Sequence, residues 1–208
     1  MIWSSDPLGM IRASTASAWR RSVVAAESDA VAAVRAMGDA IIKPIFGSMG
    51  HGIVRVSDPD VAFRVVRSLE HIRSVFYVQR TVDHGGRDVR VFVVGGRVLG
   101  AIERRAPEGE WRTNVSRGGS ARAFEVPAAW EPLAIRAAAA VGADYAGVDL
   151  LPSREGPVFV LEVNGIPGWQ GLQHATGIDV AGAIVDHLIC RVRAGQAPAG
   201  FVPAAEPR

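Results

Sequence analysis

Apolar residues recur at helical spacing through "VVAAESDAVAAVRAMGD", which predicts a helix capped by Ser28 or Asp29 and stopped by Gly38. A short apolar run over 40–43 then predicts a strand, followed by the glycine-rich "GSMGHG" and a second strand over 53–56. "SDPDVAFRVVRSLEHI" opens with a Ser/Asp cap and a proline in the first turn, and sets Val61, Val65, Leu69 and Ile72 in one helical stripe. Strands are predicted over 75–79, 88–94 and 97–105, the last two joined by Gly95-Gly96, a pair suited to a two-residue hairpin turn. Residues 106–123 are polar and glycine-rich, too long for a simple connection, and predict a functional or mobile loop. A helix over 130–141, strands over 145–151 and 158–163, and a helix over 178–193 follow, before a Pro/Ala tail that reads as unstructured. Helices set against largely antiparallel strands make the fold class α+β.

Both hairpins can be put in register by counting outward from their turns. With the second turn centred between Glu155 and Gly156, Asp149 faces Glu162. Directly opposed Cβ atoms lie roughly 5 Å apart and like charges there destabilise a sheet, so a positive group belongs between them. Asn164 shares that face, and three hard oxygen donors suit magnesium, which takes one or two carboxylates with waters and phosphate oxygens. The alternative is a pair of solvated acids matched to arginines, against which stand the apolar neighbours Val148, Leu150, Leu161 and Val163. One bulge would shift this register. Around Gly95-Gly96 the same counting places Asp88, Arg90, Glu103 and Arg105 on one face, with Phe92 and Leu99 nearer the turn. That face is apolar at one end and charged at the other, as either a site or a self-neutralising ladder of ion pairs.

Composition narrows the classes. Of 208 residues 49% are apolar, yet no run reaches the ~18 uncharged residues of a membrane span. One cysteine, Cys190, excludes an internal disulfide and suits a reducing, cytoplasmic setting, where helix packing is its expected role. A formal charge of +2 with dispersed arginines argues against nucleic acid as partner. The first 22 residues, rich in Arg and Ser, read as a disordered start or an imitation of a transit peptide, and the Ala, Arg, Gly and Val bias favours a bacterial source. Against 23 basic residues in all, the one lysine, Lys43, directly precedes the glycine loop. Gly47, Gly50 and Gly52 permit positive φ and close backbone approach, so the loop can lay N–H groups over phosphate oxygens. Its spacing is neither the P-loop nor the dinucleotide fingerprint, and the isolated lysine marks a place that wants a compact ammonium rather than a planar guanidinium.

Together "IIKPIFGSMGHGIVRV", "YVQRTVDHGGRDVRVFVVGGRVLGAIERRAPEGEWRTNVSRGG", "YAGVDLL" and "VLEVNGIPGWQGLQHATGIDVAGAIVDHLI" resemble the ATP-grasp ligases, specifically the RimK-type carboxylate–amine ligases. The resemblance implies an ATP-grasp fold, two α+β subdomains whose antiparallel sheets grip the nucleotide: a small one over 23–82 with the glycine loop and a large one over 83–194 with the metal site, between a poorly matching start, 1–22, and a flexible tail, 195–208. It implies that Lys43 contacts ATP, that the loop with Gly47, Ser48, Gly50 and Gly52 closes on the phosphates, and that Gln79, Arg80 and Thr81 form the hinge at the adenine, with Asp88, Arg112 and Asn114 nearby. Asp149, Glu162 and Asn164 match the ligands of magnesium, or manganese in its place, and Arg90 and Arg105 match arginines that stabilise transferred phosphate or bind substrate carboxylate.

The implied reaction is ATP-dependent amide formation through an acylphosphate, without a protein nucleophile; no Ser/His/Asp or Cys/His constellation stands in the chain. His51 and His174 are candidates for proton handling, with loop or capping roles as the alternative. The implied partners are a small-molecule or peptide carboxylate and an amino acid, with glutamate joined to a pterin-type cofactor such as tetrahydromethanopterin, or to a protein or peptide, and another copy of the chain as a candidate partner. A remnant that binds nucleotide without turnover, acting as a regulatory or interaction module, is the reading from another class. The family's N-terminal domain and its second nucleotide-contacting lysine have no counterpart here, which predicts a truncated start or a completing partner. Arg80 stands where the hinge segment usually carries an acid.

Overall fold

The computed structural model describes residues 21–24, 27–45, 51–113 and 118–195; Gly47, Ser48, Gly50, Asn114 and the predicted start and tail lie outside them, except that Arg21 and Ser22 of the start open a strand and Gly195 follows the last helix. Two antiparallel sheets result. The first has the order β1-β4-β2-β3, from β1 (Arg21–Val24), β2 (Ala40–Pro44), β3 (Val54–Val56) and β4 (Phe76–Arg80). Helices α1 (Glu27–Met37) and α2 (Pro59–His71) cover one of its faces, burying Ala30 and Val34 against Ile42, Val78 and Val66.

The first helix begins later than its periodicity predicts. Val23 and Val24 pair with Tyr77 and Phe76, so β-branched residues join a sheet edge and the helix starts at Glu27, ahead of both predicted caps. Gly38, at φ +77°, ends it as expected. In α2 the Asp58 carboxylate accepts from Asp60 N at 2.7 Å and Pro59 occupies the first turn. Its buried line is Ala62 and Val66 flanked by Val65 and Leu69, while Val61 is 46% and Ile72 69% exposed. The predicted stripe missed the small residue at its centre and so turned the face by about one position.

The second sheet has the order β7-β6-β5-β8-β9, from β5 (Arg87–Val94), β6 (Arg97–Arg105), β7 (Ser120–Ala123), β8 (Tyr145–Pro152) and β9 (Val158–Asn164). Helix α3 (Glu131–Ala140) packs on one face through Leu133, Ala134, Ala137 and Ala138, whose small side chains let it settle on Val89, Val91, Val148 and Leu150. On the other face α4 (Gln170–Thr176) and α5 (Val180–Arg193) cover the hairpin end, where Phe92, Ile102, Leu172 and Val180 form a second core, and α4 reaches on against β7. Gly100 permits that packing, since a Cβ there would meet Ile178 Cδ1 at 2.9 Å. β7 and α4 were not expected. β7 is a short polar edge strand inside the predicted loop, and α4 is a single glycine-containing stretch without helical periodicity. Among the described residues, the backbone crosses from one sheet to the other once, over 81–86, with Gly85 and Gly86 at φ +60° and +68°.

Candidate active site

The uncovered end of the second sheet faces the bare side of the first, and between them lies a cleft of about 570 Å³. Strand alternation explains its walls: Ala40, Ile42, Phe76 and Val78 point to the helices, so Ile41, Lys43, Tyr77 and Gln79 point to the cleft. Lys43 Nζ donates to Gln79 Oε1 at 3.4 Å and lies 6.0 Å from the Tyr77 ring centre, while Gln79 is buried. Gly52, at φ +73°, returns the chain past Pro44 so closely that a Cβ would approach Pro44 Cγ at 3.2 Å. Arg80 and Thr81 do not line the cleft: Arg80 ends β4 exposed on the opposite parity, and Thr81 N is bonded to Asp39 O at 3.0 Å.

Opposite them, the expected pairing of Asp149 with Glu162 is present, though for a different reason. The turn lies between Ser153 and Pro157, half a position from the predicted centre, and a bulge at Leu161 restores the register. The bulge also changes parity: Val160 points to α3, whereas Leu161, Glu162 and Asn164 line the cleft. Arg90 forks onto Asp149, Nε to Oδ1 at 2.7 Å and Nη2 to Oδ2 at 2.8 Å, with Nη2 3.8 Å from Glu162 Oε1. Asn164 Nδ2 donates to Glu162 Oε1 at 3.1 Å. The positive charge that the two acids demand is here a guanidinium.

The first hairpin corrects the sequence reading. A bulge between Phe92 and Val93 advances β6 by one residue, so Asp88 pairs with Arg104 and Val89 with Glu103. Arg104, not Arg105, therefore points into the cleft beside Arg90 and Asp88. It is 6% exposed, donates to Asp88 from Nε at 2.7 Å and Nη2 at 2.6 Å, and reaches Asp149 Oδ2 at 2.8 Å. Arg105 and Glu103 lie on the opposite face, joined at 2.6 Å. The paired arginines of "IERRA" signal that each face receives one; only the bulge decides which. Thr113 Oγ1, also missed, donates to Asp88 Oδ2 at 2.6 Å.

Burial alone would raise the Asp149 carboxyl, but the charges and hydrogen bonds of Arg104 and Arg90 outweigh it and hold it below the usual range. Glu162, its side chain half exposed, moves the other way, pushed up by partial desolvation and by the Asp149 charge beside it. Burial also lowers His84, whose Nδ1 donates to Arg87 O at 3.1 Å on the cleft wall. Arg112 lines the cleft 5.5 Å from the Trp111 ring, is bonded to Glu110 at 2.6 Å, and keeps a buried Nε without a partner among the described residues. His51 lines the cleft, whereas His174 borders a separate shallow hollow with Trp169 and Gln173. Among the described residues no group of three His, Cys, Asp or Glu converges as a metal cage.

Residues 17–188 match the RimK-like ATP-grasp domain. The chain is 44% identical over 149 residues, 71% of its length and 50% of the relative's, to a probable alpha-L-glutamate ligase of Trichodesmium erythraeum strain IMS101. It is 40% identical over 153 residues, 73% and 51% of the two lengths, to one of Sodalis glossinidius strain morsitans. The chain thus spans about half the length of the curated relatives it matches. In fold it is similar to the ATP-grasp ligase PsnB complexed with a phosphomimetic variant of minimal precursor, Mg and ADP, with TM-score 0.65 and 24% identity, covering 84% of this chain and 53% of that one. It is likewise similar to the D-cycloserine synthetase DcsG, with TM-score 0.65 and 23% identity, covering 84% and 65%.

Proposed function

Because the chain belongs to the RimK-like ATP-grasp family, we propose that it acts as an ATP- and Mg2+-dependent carboxylate–amine ligase, with glutamate as the amine in line with its relatives' names. The observation that carries this reading is the convergence of Asp149, Glu162 and Asn164 with Arg90 and Arg104 at the charged end of one sheet, across a cleft from Lys43.

Ile41, Val82, Leu151 and Leu161 give the cleft an apolar stretch suited to a nucleobase, with the Gln79 amide beside it for polar edges. Lys43 and the glycine turn ending at Gly52 would receive phosphate oxygens. Asp149, Glu162 and Asn164 would hold a hard divalent cation by donor chemistry, with Arg90, bonded to Asp149, beside them to offset phosphate charge. Such a cation supplies Lewis-acid stabilisation of phosphoryl charge. In the proposed reaction a carboxylate oxygen bonds to the γ-phosphorus as the bond to ADP breaks. The amine nitrogen then bonds to the acyl carbon, loses a proton, and phosphate departs. The protein's part is alignment and charge compensation, which Arg90, Arg104 and Lys43 are placed to give.

The test supplies the purified chain with ATP, MgCl2, L-glutamate and carboxylate acceptors, a peptide and a pterin-type carboxylate among them, and measures ADP together with amide product by mass. Matching amounts of both are expected, with a loss of at least about a hundredfold in Asp149→Asn while its melting curve keeps a single transition. Nucleotide binding without ADP release would overturn turnover and assign a nucleotide-binding module instead.

A further inference from the structure

Behind the cleft, Glu103 is only 1% exposed yet gathers three guanidiniums. Its Oε1 accepts from Arg105 Nε at 2.6 Å and from Arg122 Nε at 3.0 Å, with Arg122 Nη2 2.9 Å away; its Oε2 accepts from Arg87 Nη1 at 3.3 Å. The acid thereby staples β5, β6 and β7 together. It uses few of the N–H donors, five on each arginine, and leaves two of three permanent charges unmatched. The remaining donors reach solvent, since the Arg87, Arg105 and Arg122 side chains are 37%, 48% and 66% exposed.

Arg122 belongs to β7, which ends the sheet, and no described strand pairs with its outer side. All four of its residues are exposed, it carries no proline, and its one charge, Arg122, is turned back onto Glu103 of β6. Phe124 N donates to Ala101 O at 3.0 Å, which fixes the alternation of the antiparallel ladder. Arg122 and Ser120 therefore bond inward to β6, and the N–H and C=O groups of Ala121 and Ala123 face outward. Ala121 also lines the cleft, so one face of this edge meets the arginines and the other meets α4 and borders the candidate active site.

We propose that the outer edge of β7 and the arginines behind it form a docking surface for an extended acidic peptide, which adds to the sheet as a sixth strand. Main-chain bonds to Ala121 and Ala123 hold it, and acids at alternate positions lie over Arg122 and Arg105. Charge complementarity selects the occupant: a basic or apolar strand would leave the surplus guanidinium charge unmet. Docking requires no turnover and stands apart from the ligase reading, so each can fail alone.

Fluorescence anisotropy of a labelled (Glu-Thr)4 peptide on the whole chain without nucleotide tests this, with (Lys-Thr)4 and a single-stranded RNA of similar length as comparisons. Selective binding of the acidic peptide that weakens in high salt is expected. The Arg105→Gln/Arg122→Gln double variant should weaken it at least about tenfold by loss of charge. Ala123→Pro, which removes an outward N–H and no ladder bond, should weaken it at least about fivefold. N-methylation of alternate amides in the peptide makes the same cut without touching the protein and should have the same effect. No binding, equal binding of the lysine peptide or the RNA, or indifference to N-methylation would overturn the proposal.

Discussion

Arg104 is the residue on which the charged end of the cleft turns. It bridges Asp88 and Asp149, two carboxylates on neighbouring strands that are each 2% exposed. Removing it leaves Asp88 without a cation and Asp149 with Arg90 alone, so Arg104→Met should lower unfolding stability by about 3–5 kcal/mol in urea melts and abolish nucleotide-dependent turnover. Arg105→Met, one position along, leaves those acids paired and should change ADP release by less than about threefold, because its 48% exposed side chain points the other way. Equal effects of the two variants would contradict the bulge. Sequence counting put Asp88 and Arg90 on one face of the first hairpin and Asp149 opposite Glu162 in the second, and the pairing of β5 with β8 is what brings the two sets together. Counting put Arg105 rather than Arg104 on the charged face, because the extra residue at Leu99 that reverses the choice is announced by no local pattern.

At the scale of elements, the position of Arg90 depends on how the segment after β9 lies across β8. Gly147 makes room for it: a Cβ there would meet Pro167 Cβ at 2.8 Å and Arg90 Cδ at 3.6 Å. Proline cannot swing aside, so Gly147→Ala should cost about 1–3 kcal/mol by overpacking, read as a lower thermal midpoint. A midpoint unchanged from the native chain would show that the segment is free to move. Strong apolar elements such as β5, β8 and α3 were legible because their patterns and burial agree. β7 was not, because Ser-Ala-Arg-Ala buries nothing and is a strand only through its pairing with β6. The cleft-facing direction of Glu162 was reached through two offsets that cancel, a displaced turn and the bulge at Leu161, so the agreement there owes nothing to the counting itself.

Across the whole molecule, arginine is the general counter-ion of buried or half-buried acids. Glu103 and Asp144 would rise on burial but are held below their ordinary 4.5 and 3.8 by Arg105 and Arg191, and hydrogen bonds from Arg112 bring Glu110 down to about 2. Each is ionised more readily folded than unfolded, so its contribution is complete above the unfolded value and disappears as pH falls through the folded one. The urea midpoint should therefore slip gently from pH 7 to about 5, where the unfolded chain protonates His84 more readily than the folded one, and drop steeply below about 4.5, a profile that equilibrium melts across that range would check. The two sheets, meanwhile, keep separate cores, Ile42, Val66 and Val78 in one and Val91, Val148 and Leu150 in the other, and among the described residues a single pass of backbone through Gly85 and Gly86 ties them. A chain joined at one point can be severed there without opening either interior. The same protein could thus be made as two polypeptides that find each other across the cleft, and the strength of that reunion would report directly how firmly the jaws hold together when nothing lies between them.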